Sequence, residues 1–281
     1  MAQTLPAAYL NGEYLPLETA RISPLDRGFL FGDAIYEVIP VYEGKPHLIA
    51  AHIARLERSL TALSIPNPLS EQDWTVLIHS LTEQNGGGTL AIYIQVSRGA
   101  ESGRDHVWSE KIQPTVFAMA TELNEIDYER GASAITLPDQ RWARCDIKAT
   151  ALLANVLARH QAAEAGAIDA ILIRDNEVTE GSVSSVIIVE QGKLIRRPGS
   201  TAVLPGTTTD QVINLAAGKG YDCREESIPI TRLMAADEVW LTGATKCIAP
   251  VVTIDGQSIG TGQPGPVWRS VNALYEASQN G

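Results

Sequence analysis

The feature that most constrains the fold is the order of elements around one lysine. Lys148 lies within residues 141–150, shortly before an apolar run at residues 152–157 that predicts a helix. A strand-like segment at residues 170–173 follows, and then a second polar and strand-like segment at residues 178–182. Because further strands follow without regular helical crossovers, the pattern predicts an α+β fold rather than repeated βαβ units.

Lys148 itself admits two interpretations. An amine becomes a nucleophile only after it loses its proton, and burial or a nearby cation favours that loss, as in a Schiff base with a carbonyl cofactor. The alternative is a lysine that opens a helix and points into water, as most lysines do. The residues that follow Lys148 favour the first interpretation.

Three motifs carry a resemblance to a known family: Cys-Asp-Ile-Lys at residues 145–148, Gly-x-x-x-Ala-Ile-Leu at residues 166–172, and Val-Thr-Glu-Gly-Ser at residues 178–182. Together they resemble the class IV pyridoxal-phosphate aminotransferases, most closely the bacterial D-amino-acid transaminase branch. The resemblance implies a two-domain fold of type IV, with a smaller N-terminal α/β domain and a larger C-terminal pseudo-barrel domain. It also implies pyridoxal 5′-phosphate as cofactor and a homodimer.

The resemblance assigns the two main cofactor contacts. The family lysine carries the cofactor as a Schiff base and matches Lys148, which would also move the proton during transamination. The family glutamate pairs with the pyridine nitrogen and matches Glu180. An exposed charge at a strand end is the alternative for Glu180.

The cofactor phosphate has three candidate segments. Thr207 and Thr208 precede a helical run, where free N–H groups and the helix dipole favour an anion, although threonines there also serve simply as caps. Arg55 matches the family's phosphate-binding arginine, but it lies off the apolar stripe of its helix, so a solvated surface position is the alternative. The family's second phosphate loop matches three consecutive residues: Gly243, Ala244 and Thr245.

Four positions depart from the family pattern. The family often has arginine where Thr209 stands, and asparagine where Ser185 stands. Gly243 and Ala244 replace hydroxyl donors, which leaves backbone N–H groups and the neighbouring threonine. These departures put the hydrogen bonds around the cofactor in question, but not the cofactor itself.

A polar loop at residues 98–111 carries the candidate substrate site. In a chain of net charge −11, an anionic substrate needs a local cation, and the guanidinium of Arg104 binds a carboxylate with two donors. His106 adds a donor, and Tyr36 matches a tyrosine that the D-amino-acid branch places nearby. A solvated turn is the alternative.

The loop also predicts the reaction. Arg-x-His resembles the D-specific branch, so we expect the amino group of D-alanine or D-glutamate to pass to a 2-oxo acid. The alternatives with the same fold are an L-branched-chain aminotransferase, an (R)-amine transaminase and aminodeoxychorismate lyase. A cofactor-binding protein without activity is the non-enzyme alternative.

The domain organisation follows from the periodicity. Residues 122–130 are acidic and lack periodicity, which predicts a linker between an N-terminal domain at residues 1–121 and a C-terminal cofactor-binding domain at residues 131–281. In the first domain, Asn11-Gly12 predicts a hairpin and Asp26-Arg27-Gly28 a turn. Alternating fours and threes predict a helix at residues 49–63, and a capping box at Ser70 starts another.

The composition excludes several other classes. No apolar run approaches the roughly 20 residues of a membrane-spanning helix, and the acidic balance without a basic patch argues against a nucleic-acid partner. The first residues lack the basic flank and apolar core of a signal peptide, so we expect a cytoplasmic protein. The three cysteines are isolated and the five histidines lack metal-ligand spacing, so we expect no metal site.

Overall fold

The structure, a computed structural model, describes residues 2–124 and 126–279. The chain forms two compact units. The first combines the residues before Ile126 with the short segment Ile147–Ala151, and the second combines Ile126–Asp146 with the residues from Leu152 onward. No helix among the described residues has the length and the apolar run that spanning a membrane requires.

Unit 1 is built on a six-stranded sheet in the order β2-β1-β6-β5-β3-β4, in which all neighbouring strands are antiparallel. A 3₁₀ turn at Leu17–Thr19 follows the first hairpin. The elements of unit 1 are β1 (Thr4–Leu10), β2 (Glu13–Pro16), α1 (Arg27–Phe31), β3 (Ala34–Tyr42), β4 (Lys45–Pro46), α2 (Ile49–Ala62), α3 (Glu71–Gln84), β5 (Leu90–Ser97) and β6 (Thr115–Glu122).

Local signals position most of these elements. The predicted hairpin is confirmed, because Asn11 (φ 48°) and Gly12 (φ 101°) both adopt the positive φ of a type I′ turn. The capping box at Ser70 is confirmed as well, with Asp73 as its second member. The apolar stripe of α2 packs into one core with β3, β5 and α3, which includes Leu56, Ile92 and Trp74.

One local interpretation is wrong. Asp26-Arg27-Gly28, predicted as a turn, is the start of helix α1. The Asp26 carboxylate accepts a hydrogen bond from the backbone N–H of Gly28 at 2.8 Å, which caps the helix, and Gly32 ends it with φ 67°. The short Asx side chain serves a turn and a helix cap equally well, so the sequence signal did not separate them.

Unit 2 contains a nine-stranded sheet with the path β12-β11-β10-β13-β14-β7-β8-β9, and β15 pairs with β14. Three neighbouring pairs are parallel and the others antiparallel, which confirms the predicted α+β class. The elements are β7 (Ala132–Pro138), α4 (Leu153–Glu164), β8 (Asp169–Arg174), β9 (Glu177–Gly181), β10 (Ser185–Glu190), β11 (Lys193–Arg196), α5 (Thr207–Gly218), β12 (Cys223–Glu225), α6 (Ile230–Ala235), β13 (Glu238–Gly243), β14 (Cys247–Ile254), β15 (Gln257–Ser258) and α7 (Pro266–Gln279).

The middle of this sheet is covered on both faces. Along β10, Val186 and Ile188 belong to one apolar cluster, while Ile187 and Val189 belong to another. Successive side chains of a strand point to opposite faces, so a run of four apolar residues is what a strand buried on both sides needs. Helices α5 and α7 cover the second face.

The predicted linker at residues 122–130 begins with the last residue of β6, Glu122, and ends before β7, which begins at Ala132. Residue 125 of that linker lies outside the described residues. The packing also assigns Ile147–Ala151 to unit 1, although the segment follows the predicted boundary. The domain limits at residues 121 and 131 stay a prediction.

Candidate active site

The predicted site residues divide between the two units. Unit 1 contains the candidate amine, the candidate phosphate-binding arginine and the candidate residues around the substrate carboxylate: Tyr36, Arg55, Arg104, His106 and Lys148. The candidates for the ring nitrogen and the other phosphate contacts lie in unit 2: Glu180, Thr207, Thr208, Gly243, Ala244 and Thr245.

Lys148 is held against the beginning of β3. The backbone N–H of Tyr36 donates to the Lys148 carbonyl at 2.9 Å, and that of Thr150 donates to the Ala34 carbonyl at 2.9 Å. The Lys148 Nζ lies 4.2 Å from the centroid of the Tyr36 ring, and the side chain is half-buried. Two of the predicted site residues therefore lie in contact, and Lys148 is not the fully exposed lysine of the alternative interpretation.

Arg55 lies in a buried charge cluster. Its Nε and one terminal nitrogen each donate to the Glu37 carboxylate at 2.7 Å, and Nδ1 of His52 lies 2.8 Å from the same carboxylate. Arg55 is 5% exposed, so the solvated surface position is wrong. Its role at a phosphate stays a prediction.

The surroundings of the charge cluster shift the pKa values of Glu37 and His52. Burial raises the pKa of the Glu37 carboxyl, but the charge and hydrogen bonds of Arg55 outweigh it, so this pKa lies well below its usual range. Burial lowers the pKa of His52 despite the opposing carboxylate. Glu37 therefore stays an anion that fixes the plane of the Arg55 guanidinium. The sequence contained one signal for this pairing, a glutamate inside an apolar strand.

Arg104 and His106 meet at the last residue of α1. The Arg104 guanidinium carbon lies 4.8 Å from the centroid of the Phe31 ring, and the His106 ring centroid lies 5.3 Å from it. Both side chains are exposed. The loop therefore places its two candidate ligands against one aromatic ring. A fully solvated turn would not need such a contact.

Glu180 is enclosed in unit 2. It lies in β9, is 6% exposed, and accepts a hydrogen bond from the backbone N–H of Leu204 at 3.0 Å. Its other carboxylate oxygen accepts from the Arg141 guanidinium. The alternative of an exposed charge at a strand end is wrong.

Arg141 connects Glu180 to a second carboxylate, that of Asp139. Neither Asp139 nor Arg141 was among the site residues predicted from the sequence. The Asp139 carboxylate accepts from Arg141 at 2.9 and 2.8 Å and from the Thr179 hydroxyl at 2.8 Å. Burial raises the pKa of Asp139, but the hydrogen bonds from Arg141 outweigh it and lower this pKa to about 2. The only sequence signal was an acid and a base two residues apart directly after an apolar strand.

The first turn of α5 is the candidate anion site of unit 2. Its N-cap is Gly206, and Thr207, Thr208 and Thr209 are buried inside the helix, so the threonines are not its caps. A Cβ on Gly206 would lie 2.6 Å from the Thr209 hydroxyl and 2.7 Å from that of Ser185. Two of the departures from the family pattern, Thr209 and Ser185, thus flank this glycine.

Gly243 is the last residue of β13, and Ala244 and Thr245 lie in the turn that follows, which the next residue, Lys246, holds in place. The Lys246 ammonium donates to the Asp169 carboxylate at 2.7 Å, and Asp169 also accepts from the hydroxyls of Ser182 and Ser184. Burial lowers the pKa of Lys246. This buried pair, which the sequence analysis missed, connects the turn after β13 to the turn after β9.

The two sets of residues offer distinct chemistry. In unit 2, the N–H groups and dipole at the start of α5 favour an anion, and the Glu180 carboxylate favours a cation. In unit 1, Lys148 supplies an amine, and Arg104 and His106 supply donors for a carboxylate. Each set by itself offers some of the groups that a phosphorylated aromatic cofactor and its amine chemistry need.

Comparison with known proteins identifies the family. The profile of the amino-transferase class IV family matches residues 34–254. D-alanine aminotransferase from Bacillus licheniformis is 37% identical over 270 residues, covering 95% of each chain. D-alanine aminotransferase from Listeria monocytogenes 10403S is 36% identical over 270 residues, covering 95% of this chain and 93% of the relative.

A solved structure resembles the whole chain. The branched-chain amino acid aminotransferase of T.th., complexed with N-(5′-phosphopyridoxyl)-L-glutamate, superposes with a TM-score of 0.90 at 27% identity. The match covers 99% of this chain and 95% of that one.

Proposed function

The chain belongs to the class IV aminotransferase family, and from this premise we propose that it transfers the amino group of a D-amino acid to a 2-oxo acid with pyridoxal 5′-phosphate as cofactor. The observation that carries the D-amino-acid proposal is the pair Arg104 and His106, brought together on Phe31. The D-alanine aminotransferases of 36–37% identity support the same donor class. D-alanine and D-glutamate are the expected donors, and pyruvate and 2-oxoglutarate the expected acceptors.

The donor set fits the proposed cofactor. When bound, the cofactor supplies a carbonyl carbon that accepts the amino group and a ring that accepts electrons from the substrate. Lys148 would hold its carbonyl carbon and Glu180 its ring nitrogen. The phosphate would be held by the first turn of α5 with Thr207 and Thr208, the segment at residues 243–245, and Arg55. Tyr36 would line the cofactor and the substrate.

Each residue has a defined task in this proposal. Lys148 would anchor the cofactor covalently and, when free, would as an amine accept the proton that leaves the substrate Cα. Glu180 holds a negative charge at the ring nitrogen, because Arg141 and the Leu204 N–H supply hydrogen bonds that suit a carboxylate. Arg104 and His106 bind the substrate carboxylate and so decide which face of Cα is presented to Lys148.

An L-branched-chain aminotransferase is the second candidate, because the T.th. enzyme has a closely similar backbone. The experiment that separates the two is a half-reaction. D-alanine, D-glutamate and L-leucine are added separately to the enzyme without an acceptor, and the absorbance of the bound cofactor is followed. We expect fast loss of the band with the D-amino acids and slow loss with L-leucine. Faster loss with L-leucine would refute the proposed donor, and no loss with any amino acid would support an inactive cofactor-binding protein.

Two variants test the carboxylate site directly. Arg104→Ala should weaken D-amino-acid use by about 2–3 kcal/mol, the scale of one charge-assisted hydrogen bond, while cofactor binding stays intact. Arg58→Ala is the matched control, because Arg58 is an exposed arginine of α2 in the same unit. Equal effects of the two substitutions would contradict the assignment of Arg104.

We also propose a homodimer. Helix α4 exposes Leu153 (74%), Val156 (59%) and Leu157 (54%). Residues at spacings of three and four lie on the same side of a helix, so these side chains form one apolar face that needs a cover. Leu157→Glu should weaken the dimer, which light scattering over a range of concentrations measures. An active wild-type monomer in that experiment would contradict the proposal.

A further inference from the structure

Arg27 has no role in the site as described so far, yet its side chain binds the substrate loop. It is 5% exposed, and its two terminal nitrogens donate to consecutive backbone carbonyls, to Asp105 at 2.6 Å and to His106 at 2.9 Å. Residues 101–109 of this loop lie outside regular helix and strand. One side chain therefore supplies two of the hydrogen bonds that fix the backbone at this point of the loop.

The orientation of Arg27 is itself fixed by Asp33. The Arg27 Nε donates to Asp33 at 2.9 Å, and Arg98 donates to both oxygens of the same carboxylate at 2.8 and 2.9 Å. Burial alone raises the pKa of Asp33, but the hydrogen bonds from Arg98 and Arg27 outweigh it, so this pKa lies below its ordinary value. Asp33 thus remains a carboxylate that orients both guanidinium planes.

Phe31 connects Arg27 to the two candidate ligands. Arg27 and Phe31 are four residues apart in α1, which places them on one side of the helix. The Arg27 guanidinium carbon lies 4.9 Å from the Phe31 ring centroid, against 4.8 Å for that of Arg104. The His106 ring, at 5.3 Å, packs against the same phenyl group. The backbone and the side chains of the loop are therefore both held by α1.

We infer that Arg27 is a positioning residue for substrate binding, which holds the backbone at Asp105 and His106 so that Arg104 and His106 present their donors to the substrate carboxylate before it arrives. The inference rests on the proposed function, because it takes these two residues as the carboxylate ligands. Positioning of this kind removes the cost of ordering a loop from the binding step. Its loss therefore weakens substrate binding more than it slows the chemical step.

The test compares Arg27→Met and Arg27→Lys with the wild type as holoenzymes. We expect Arg27→Met to raise the KM for D-alanine about tenfold, which is less than the loss expected for Arg104→Ala because both carboxylate ligands remain, with kcat within about twofold of the wild type. Arg27→Lys should recover part of this loss, because one ammonium cannot reproduce the planar fork that reaches two carbonyls and Asp33.

Amide hydrogen exchange supplies a readout that does not depend on turnover. We expect faster exchange at residues 101–109 in Arg27→Met, with the rest of unit 1 unchanged. The matched control is Arg232→Met in unit 2, since Arg232 binds Glu190 and Glu226 and the carbonyl of Ser227 but none of the predicted site residues. This control should leave exchange in the loop and the KM for D-alanine unchanged.

The outcomes separate the inference from the proposed function. Wild-type exchange and wild-type KM in Arg27→Met overturn the inference, as does a lower melting temperature with both values unchanged. If Arg27→Met does not fold, the KM for D-alanine and the exchange at residues 101–109 are measured in Arg27→Lys, and wild-type values of both overturn the inference. Failure of the proposed function is read in the wild type alone, as equal or faster reaction with L-leucine, and it leaves the exchange comparison valid.

Discussion

The carboxylate of Asp139 provides a quantitative test of the site architecture in unit 2. Its side chain is fully buried and accepts hydrogen bonds from Arg141 and, at 2.8 Å, from the Thr179 hydroxyl. The Arg174 guanidinium forms an ion pair with the same carboxylate at 3.0 Å. Asp139→Asn keeps the shape of the side chain but removes its charge. Arg141 then keeps one anionic partner, Glu180, and loses the other.

The size of the effect follows from the pKa of Asp139, which folding lowers from 3.8 to about 2. A difference of nearly two pKa units corresponds to about 2 kcal/mol of unfolding free energy. Because the folded-state pKa is depressed, this contribution is fully present above about pH 4, the unfolded-state pKa. It disappears as the pH falls through about 2. At pH 7, Asp139→Asn should therefore be less stable by at least about 2 kcal/mol, since a buried arginine also loses a partner.

The assay is urea unfolding of the wild type and Asp139→Asn, followed by tryptophan fluorescence at pH 7, 5, 4 and 3 and at one protein concentration. The difference between the two proteins should be constant from pH 7 to pH 5 and should shrink toward pH 3. Asp222→Asn is the control, because Asp222 pairs with Arg224 at 2.8 Å on the surface, where such a pair contributes little. A difference at pH 3 as large as that at pH 7 would refute the reasoning.

Three further predictions concern the cofactor. Lys148→Ala should abolish transamination while the fold, measured by circular dichroism, stays intact; turnover near the wild-type rate would contradict the assignment. Glu180→Gln should slow the half-reaction, because an amide cannot hold a charge at the ring nitrogen, and unchanged half-reaction kinetics would argue against its role. Gly206→Ala should weaken cofactor affinity, measured by titration of the apoenzyme, because a Cβ would lie 2.6 Å from the Thr209 hydroxyl and 2.7 Å from that of Ser185. Wild-type affinity in that variant would show that the first turn of α5 does not hold the phosphate.

Much of the fold was predictable because its signals are local. The hairpin at Asn11-Gly12, the capping box at Ser70 and the apolar stripe of α2 each depend on residues within a few positions of one another. Such signals act through φ, through cap hydrogen bonds or through helical spacing, and distant residues rarely reverse them. The α+β class followed from the order of these elements.

The environment of the site residues was not predictable in the same way. Arg55 lies off the apolar stripe of α2 and therefore has the periodicity of a surface residue, yet it is buried because Glu37 on β3 neutralises it. The sequence of α2 alone does not indicate that Arg55 has a partner on β3. The contacts of Arg27 were not predictable for the same reason, since its side chain binds a loop far along the chain.

Arg27, Arg141 and Lys246 share one feature, which is a charged side chain that binds a residue far away in the sequence. Several candidate functional residues, such as His106, Glu180 and Thr245, lie in loops or near a strand end, where the backbone lacks the full ladder of hydrogen bonds that fixes helices and sheets. A buried charged side chain from a distant part of the sequence replaces that ladder. Arg27 reaches 78 positions along the chain to Asp105, Arg141 reaches 39 positions to Glu180, and Lys246 reaches 77 positions back to Asp169. Each charge is costly to bury and is retained only while its partner is present, so each pair ties the geometry of nearby candidate residues to the complete folding of the unit in which they lie.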